Sequence, residues 1–236
     1  MTIEPVSILA TSFFSTHHAS AADVLASSPR PAPLQPTYPL LVARARRFTS
    51  LVTQLHMEVC GALRSALSPT DPPISVFGTC HGEIQTAETM IAGIREGKVS
   101  SARFALSVHN TAAGLYSVAT GNTAASTTIT GGNAVAAAWL DAVLTVHETS
   151  RPVLLSIADE PVPALFQGPT QPFGIAAAFL LGPTGAAAPD AHVARLAIVP
   201  GDAAIDPAQA LARAAAGKSG PLGSIQPGAL LDLSVS

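Results

Sequence analysis

Three stretches of this sequence hold groups, or a gap, where chemistry could occur. GTCHGE (78–83) sets a thiol beside an imidazole, the two groups a nucleophilic cysteine needs. Adjacent residues on an extended chain point to opposite sides, so Cys80 and His81 do not pair with each other. A base must come from elsewhere, or the start of the following helix must lower the thiol pKa. Without such help Cys80 is a small buried residue and His81 a loop histidine. His109 stands just before another helix, where an imidazole caps the helix or lines a pocket. The third stretch is STTIT (126–130), then Gly131-Gly132, then an Ala-rich segment. That is a strand-turn-helix elbow, a shape that presents nucleophiles, with no side chain at its apex.

Other patterns fail on inspection. ARAAAGKS (212–219) has Ala212 where a phosphate-binding loop needs its first Gly, and it ends a helix instead of opening one. Gly217-Lys218 reads as a helix stop with a dipole-complementing cation. HETSR (147–151) lacks the second His of a zinc-protease helix, and no G-x-S-x-G, G-x-G-x-x-G or C-x-x-C occurs. Cys60 and Cys80 are too few for a disulfide framework and too isolated for a zinc site. No metal or cofactor is expected.

The elements that must carry these residues alternate. VSILATSFF (6–14) reads as a strand, followed by an irregular excursion over 15–38. Apolar residues at helical spacing predict a helix from Pro39 to Leu67. ISVFGT (74–79) is a short strand, 83–96 a helix with Ile84, Ala87, Met90, Ile91 and Ile94 on one face, and FALSV (104–108) extended. Asn110 is placed to cap a helix over 111–119. A long helix over 133–148, strands at 153–158, 174–181 and 192–199, a helix at 207–216 and a loop-rich tail at 217–236 complete the chain. The alternation predicts one α/β domain over 1–236, its sheet mostly parallel with helices on both faces and an antiparallel edge near the end.

Composition narrows the function. Charged residues are 11% and apolar ones 48%, against about 25% charged in an average soluble protein. That is compatible with a large apolar interface or with an Ala-, Gly- and Pro-rich genome. The net charge of −3 lacks the basic footprint of a nucleic-acid binder. The one basic cluster, Arg44, Arg46 and Arg47, reads as a solvated helix surface or a docking point for an acidic partner. The apolar runs are about half the ~20 residues a membrane span needs. MTIEPVSILA lacks the basic start of a signal peptide, so the expected location is the cytoplasm.

The motifs taken in order resemble a known family. NTAAG (110–114), STTIT with its elbow, the helix closing in Asp141-Ala142, GTCHGE, VLLSIADEP and FGIAAAFLLGP are similar to the N-terminal half of the β-ketoacyl synthases, condensing enzymes of the thiolase fold. The resemblance covers roughly residues 74–182 and implies a mostly parallel five-stranded mixed sheet. It also implies that Gly132 stands where the family carries its nucleophilic Cys, and that the further catalytic residues of a C-terminal half are absent. Catalytic residues are therefore expected to be none.

The implied role is a Cys-less subunit of the chain-length-factor type, as in aryl polyene biosynthesis. It would form a heterodimer with a full-length ketosynthase, with the acyl carrier protein as a further candidate partner. Partner and tunnel contacts would fall on Phe104, Leu106, His109, Asn110, Thr128, Thr130, Gly131 and Gly132. Two alternatives stay open: a homo-oligomeric acyl-binding scaffold, and a residual acyl-transfer or hydrolytic enzyme using Cys80 with His81 or His109.

Overall fold

The computed structural model describes residues 1–42, 46, 49–98, 100–166, 172–185 and 192–236. Its strands are β1 (Val6–Ser15), β2 (Ile74–Thr79), β3 (Ser126–Thr130), β4 (Val153–Asp159), β5 (Ile175–Pro183), β6 (His192–Pro200), β7 (Gly220–Gln226) and β8 (Ala229–Val235). Its helices are α1 (Ala21–Leu25), α2 (Leu51–Ala62), α3 (Ile84–Arg95), α4 (Ser101–Ala105), α5 (Thr111–Thr120), α6 (Ala134–Thr149) and α7 (Pro207–Ala215).

Among the described residues the strands form one eight-stranded sheet in the order β3-β2-β4-β5-β1-β6-β8-β7. Only β2–β3 and β2–β4 run parallel; β4–β5, β5–β1, β1–β6, β6–β8 and β8–β7 are antiparallel. The mixed α/β sheet is thus found, but the five-stranded, mostly parallel form is not. Part of the difference lies in the tail. Its Gly and Pro residues suggested loop, yet β7 and β8 form an antiparallel hairpin turned at Gly228, whose φ of 79° suits only glycine without strain. The hydrophobic alternation in ALLDLSV carries the pairing, with Leu231 and Leu233 fully buried.

Strand side chains alternate between two cores. Val76, Leu155, Ile157, Ala177 and Phe179 face α6, α7 and α1. Phe77, Leu154, Ala158, Ala176 and Ala178 face α2 and α5. Helix α6 is buried over a broad arc, with Trp139 against Phe179 at 4.7 Å between ring centroids. The β7–β8 hairpin and α7 join the first core through Leu222, Leu231 and Leu211.

Three local expectations shift. Of the helix expected over 39–67, α2 starts at Leu51, where Ser50 Oγ accepts the Thr53 N–H; Arg46 is also helical, while Arg44, Arg47 and Phe48 lie outside the described residues. FALSV is not extended: Ser100 caps α4 by accepting the Arg103 N–H, which folds Phe104 and Ala105 into that short helix. Asn110 occupies the cap position of α5 but its side chain makes no cap hydrogen bond. No helix among the described residues is long and apolar enough to cross a membrane.

Candidate functional site

The carboxyl ends of β2, β3 and β4 come together at one edge of the sheet, because these three strands are parallel neighbours. The elbow sits there. Gly131 donates its N–H to the Thr79 carbonyl at 3.2 Å and accepts from the Ala134 N–H at 2.9 Å. Its φ of 118° explains one glycine. Gly132 differs: its backbone is outside the left-handed region, and a Cβ built on it meets nothing within 4 Å. No steric demand therefore keeps a side chain out of the apex.

The GTCHGE turn lies beside the elbow, and its hydrogen bonds converge on one carboxylate. Asp159 Oδ1, at the end of β4, accepts from Thr79 Oγ1 at 2.9 Å, from the Cys80 N–H at 2.7 Å and from the His81 N–H at 3.3 Å. The same carboxylate acts on the Cys80 thiol. Burial drives that thiol far above its usual value, and the negative charges of Asp159 and Asp206 add to the rise against the opposing Ala134 amide. Asp159 is itself raised by burial, against its hydrogen bonds. His81 is exposed, and His109 lies next to the turn, since a Cβ built on Gly82 would be 3.8 Å from His109 Cβ. The site thus gathers Cys80, His81 and His109 but holds the thiol protonated, the reverse of nucleophile activation.

Cysteine is present in this chain, which corrects the Cys-less description: Cys60 and Cys80 are both free and buried. Cys60 lies in α2, where burial pushes its thiol up to about 12. The Ser156 hydroxyl that bonds Cys60 also meets His56 Nδ1 at 2.8 Å. Burial lowers His56 to about 3, so that ring is neutral.

The sequence reading missed the acidic groups behind the turn. Glu160 is fully buried, and its Oε2 accepts the Val52 N–H of α2 at 3.0 Å while Oε1 accepts the Gln85 N–H of α3 at 2.9 Å. One carboxylate therefore meets two helix N-termini. Glu83 accepts from Thr53 Oγ1 at 2.6 Å and from Thr86 Oγ1 at 3.2 Å. The available signal was Asp-Glu directly after a strand, in VLLSIADEP. Among the described residues no group of three or more His, Cys, Asp or Glu side chains could hold a metal ion.

The remaining expected contacts fall on β3 and on the segment from α4 to the start of α5. β3 is an edge strand. Ser75 N–H bonds the Ala125 carbonyl and Gly131 N–H bonds Thr79, so in the parallel register Thr127 and Ile129 turn their amides inward. The amides of Ser126, Thr128 and Thr130 then face outward, with no strand beside them among the described residues. Helices α5 and α6 pack on β3. Phe104 is 61% exposed and Val118 on α5 is 82% exposed, with Val108 and Leu144 also exposed. Leu106 is half-buried, and His109, Asn110 and Thr130 are exposed. The opposite edge, β7, carries Pro221 and two register shifts.

Comparison with known proteins places the fold. Residues 19–217 match the family model described as beta-ketoacyl synthase, N-terminal domain. No curated protein matches the sequence. A similar solved structure is "Ketosynthase (ApeO) in Complex with its Chain Length Factor (ApeC) from Xenorhabdus doucetiae", at TM-score 0.73 and 17% identity over 98% of this chain and 100% of that chain. A second, "The ishigamide ketosynthase/chain length factor", aligns at TM-score 0.61 and 16% identity over 83% of this chain and 67% of that one. A third is a type II polyketide synthase acyl-carrier protein in complex with its ketosynthase (AntDE:AntF), at TM-score 0.60 and 15% identity, covering 77% and 63%. At these identities the likeness is one of fold.

Proposed function

Because the chain belongs to the β-ketoacyl synthase N-terminal domain family, we propose that it acts as a non-catalytic chain-length-factor subunit. In this reading residues 1–236 form one unit that pairs with a full-length ketosynthase. It would shape that partner's acyl tunnel during polyene, polyketide or fatty-acid-type elongation, on chains supplied by an acyl carrier protein. Two similar structures bear ketosynthase and chain-length-factor names, and one of them is matched end to end.

The observation that carries the reading is the bare outer edge of β3 next to an elbow with no reactive side chain. An edge without Lys, Pro or a bulge invites another strand, whereas β7 is blunted by Pro221 and its irregular register. In the family the elbow thiol takes the acyl chain; Gly132 has nothing to acylate, so the condensation belongs to the partner. Phe104, Leu106, His109, Asn110, Thr128, Thr130, Gly131 and Gly132 are the proposed partner-facing stretch. The setting is cytoplasmic, where Cys60 and Cys80 stay reduced.

Native mass spectrometry of the chain co-expressed with a full-length ketosynthase from the same source tests this. A 1:1 complex is expected. A ketosynthase that pairs only with itself, leaving this chain alone, overturns it. The same β3 edge would serve two copies equally well, and a stable homodimer in that experiment selects the scaffold reading. The protonated Cys80 thiol argues against the enzyme reading.

A further inference from the structure

Helices α3 and α4 form an arm with an unusual attachment. Neither helix has a buried residue, and Ile94 at the far end of α3 is 58% exposed. The apolar face of α3, with Ile84, Ala87, Met90 and Ile91, is only half-covered, and its main packing neighbour is α4 itself. What fixes the arm is polar and lies at its base. Glu160 Oε1 accepts the Gln85 N–H, and Gln85 Nε2 returns a bond to the Pro161 carbonyl at 3.1 Å. Glu83, the residue before α3, accepts from Thr53 on α2 and Thr86 on α3. Two buried carboxyl groups thus join a poorly packed arm to the body of the protein.

We propose that Glu160 and Glu83 form a proton-sensitive hinge that sets how firmly the α3–α4 arm is docked. Burial raises the Glu160 carboxyl to about 7 and raises Glu83 as well. Lifting the arm would open both to water and return them toward their ordinary values near 4.5. Undocking therefore releases protons above that value. The docked arm has its full advantage below about pH 4.5 and loses it progressively as pH rises to about 7, with no further loss from Glu160 above that.

The surroundings reinforce this direction. β4 contributes Asp159 and the α3 cap Glu83, both of whose negative charges oppose ionisation of Glu160. From the β2 turn, His81 and the Cys80 thiol both act on Asp159. α2 offers neutral groups at this point, the Ser50 and Thr53 hydroxyls to Glu83 and the Val52 amide to Glu160. From α4, Arg103 lines a cavity of about 220 Å3 with Ser50, Gln85 and Thr86, and it is exposed to solvent.

Hydrogen exchange of the α3 amides in the full chain, without any partner, tests the hinge independently of the pairing proposed above. After correction for the intrinsic pH dependence of exchange, protection should fall with rising pH between pH 5 and 7, by up to about tenfold per pH unit from Glu160 alone and more where Glu83 adds to it, and level off beyond. Glu160→Gln keeps one acceptor oxygen and cannot ionise, so its profile should flatten; Glu83→Gln should reduce the slope. A flat wild-type profile overturns the proposal by itself. So does a slope that survives unchanged in Glu160→Gln.

Discussion

At the scale of single residues, two positions at the same sheet edge carry opposite lessons about reactivity. Cys80 has a sulfur but sits buried against Asp159, which keeps the thiol protonated. Gly132 has no sulfur but sits exposed, two residues before α6, with open space where a Cβ would go. Thiol labelling of the native chain at pH 7 should therefore find Cys80 much slower than the same thiol in denatured protein. A Gly132→Cys variant should fold normally and label about tenfold faster or more than Cys80, since exposure and a helix start both favour a thiolate. Equal rates at the two sites would contradict this picture. The sequence exposed half of the contrast. Gly132 was legible from the strand-turn-helix pattern, whereas the environment of Cys80 comes from Asp159, 79 residues away in the chain, which local spacing does not reveal.

Among the elements, the two sheet edges differ most. In β3 the Thr128 amide faces outward, so Thr128→Pro removes a donor that no described residue uses. Proline is tolerated at such edge positions, and the isolated chain should lose no more than about 1 kcal/mol of stability by chemical denaturation. The same variant should abolish capture by the ketosynthase in a pull-down; retained capture would exclude β3 as the pairing edge. The strands β2, β4 and β5 were readable because largely apolar runs between turn residues have few other solutions, and β6 because its apolar residues alternate around Arg195. β7 was not, since Gly220, Pro221 and Gly223 are loop-forming residues that become a strand only through pairing with β8. Likewise α4 was hidden by the alternation in FALSV, which a Ser100 cap overrides.

For the molecule as a whole, the sheet is longer than the resemblance implied and its extension has a packing role. Strands β6, β8 and β7 continue past β1, and together with α7 they enclose the α6 side of the core, where Trp139 and Leu211 are buried. The cores on both faces of the sheet are thus built from the chain's own residues, while Ile94, Phe104, Val108, Val118 and Leu144, on or beside α3 to α6, are left exposed, as are Met1, Leu34, Val42 and Leu165 elsewhere. A partner binding at β3 should stabilise the chain by mass action. Its melting temperature should rise with added ketosynthase and keep rising with ketosynthase concentration. A melting temperature indifferent to the ketosynthase at any ratio would count against assembly through this surface.

The unguarded β3 edge also bears on supply. On the proposed pairing, a copy made in excess of the ketosynthase would expose a regular strand able to pair with any other extended segment, including the β3 of another copy. Such copies would drift toward aggregation or be removed by proteolysis, so the proposed pairing predicts that co-expression with the ketosynthase raises the yield of this chain over expression alone.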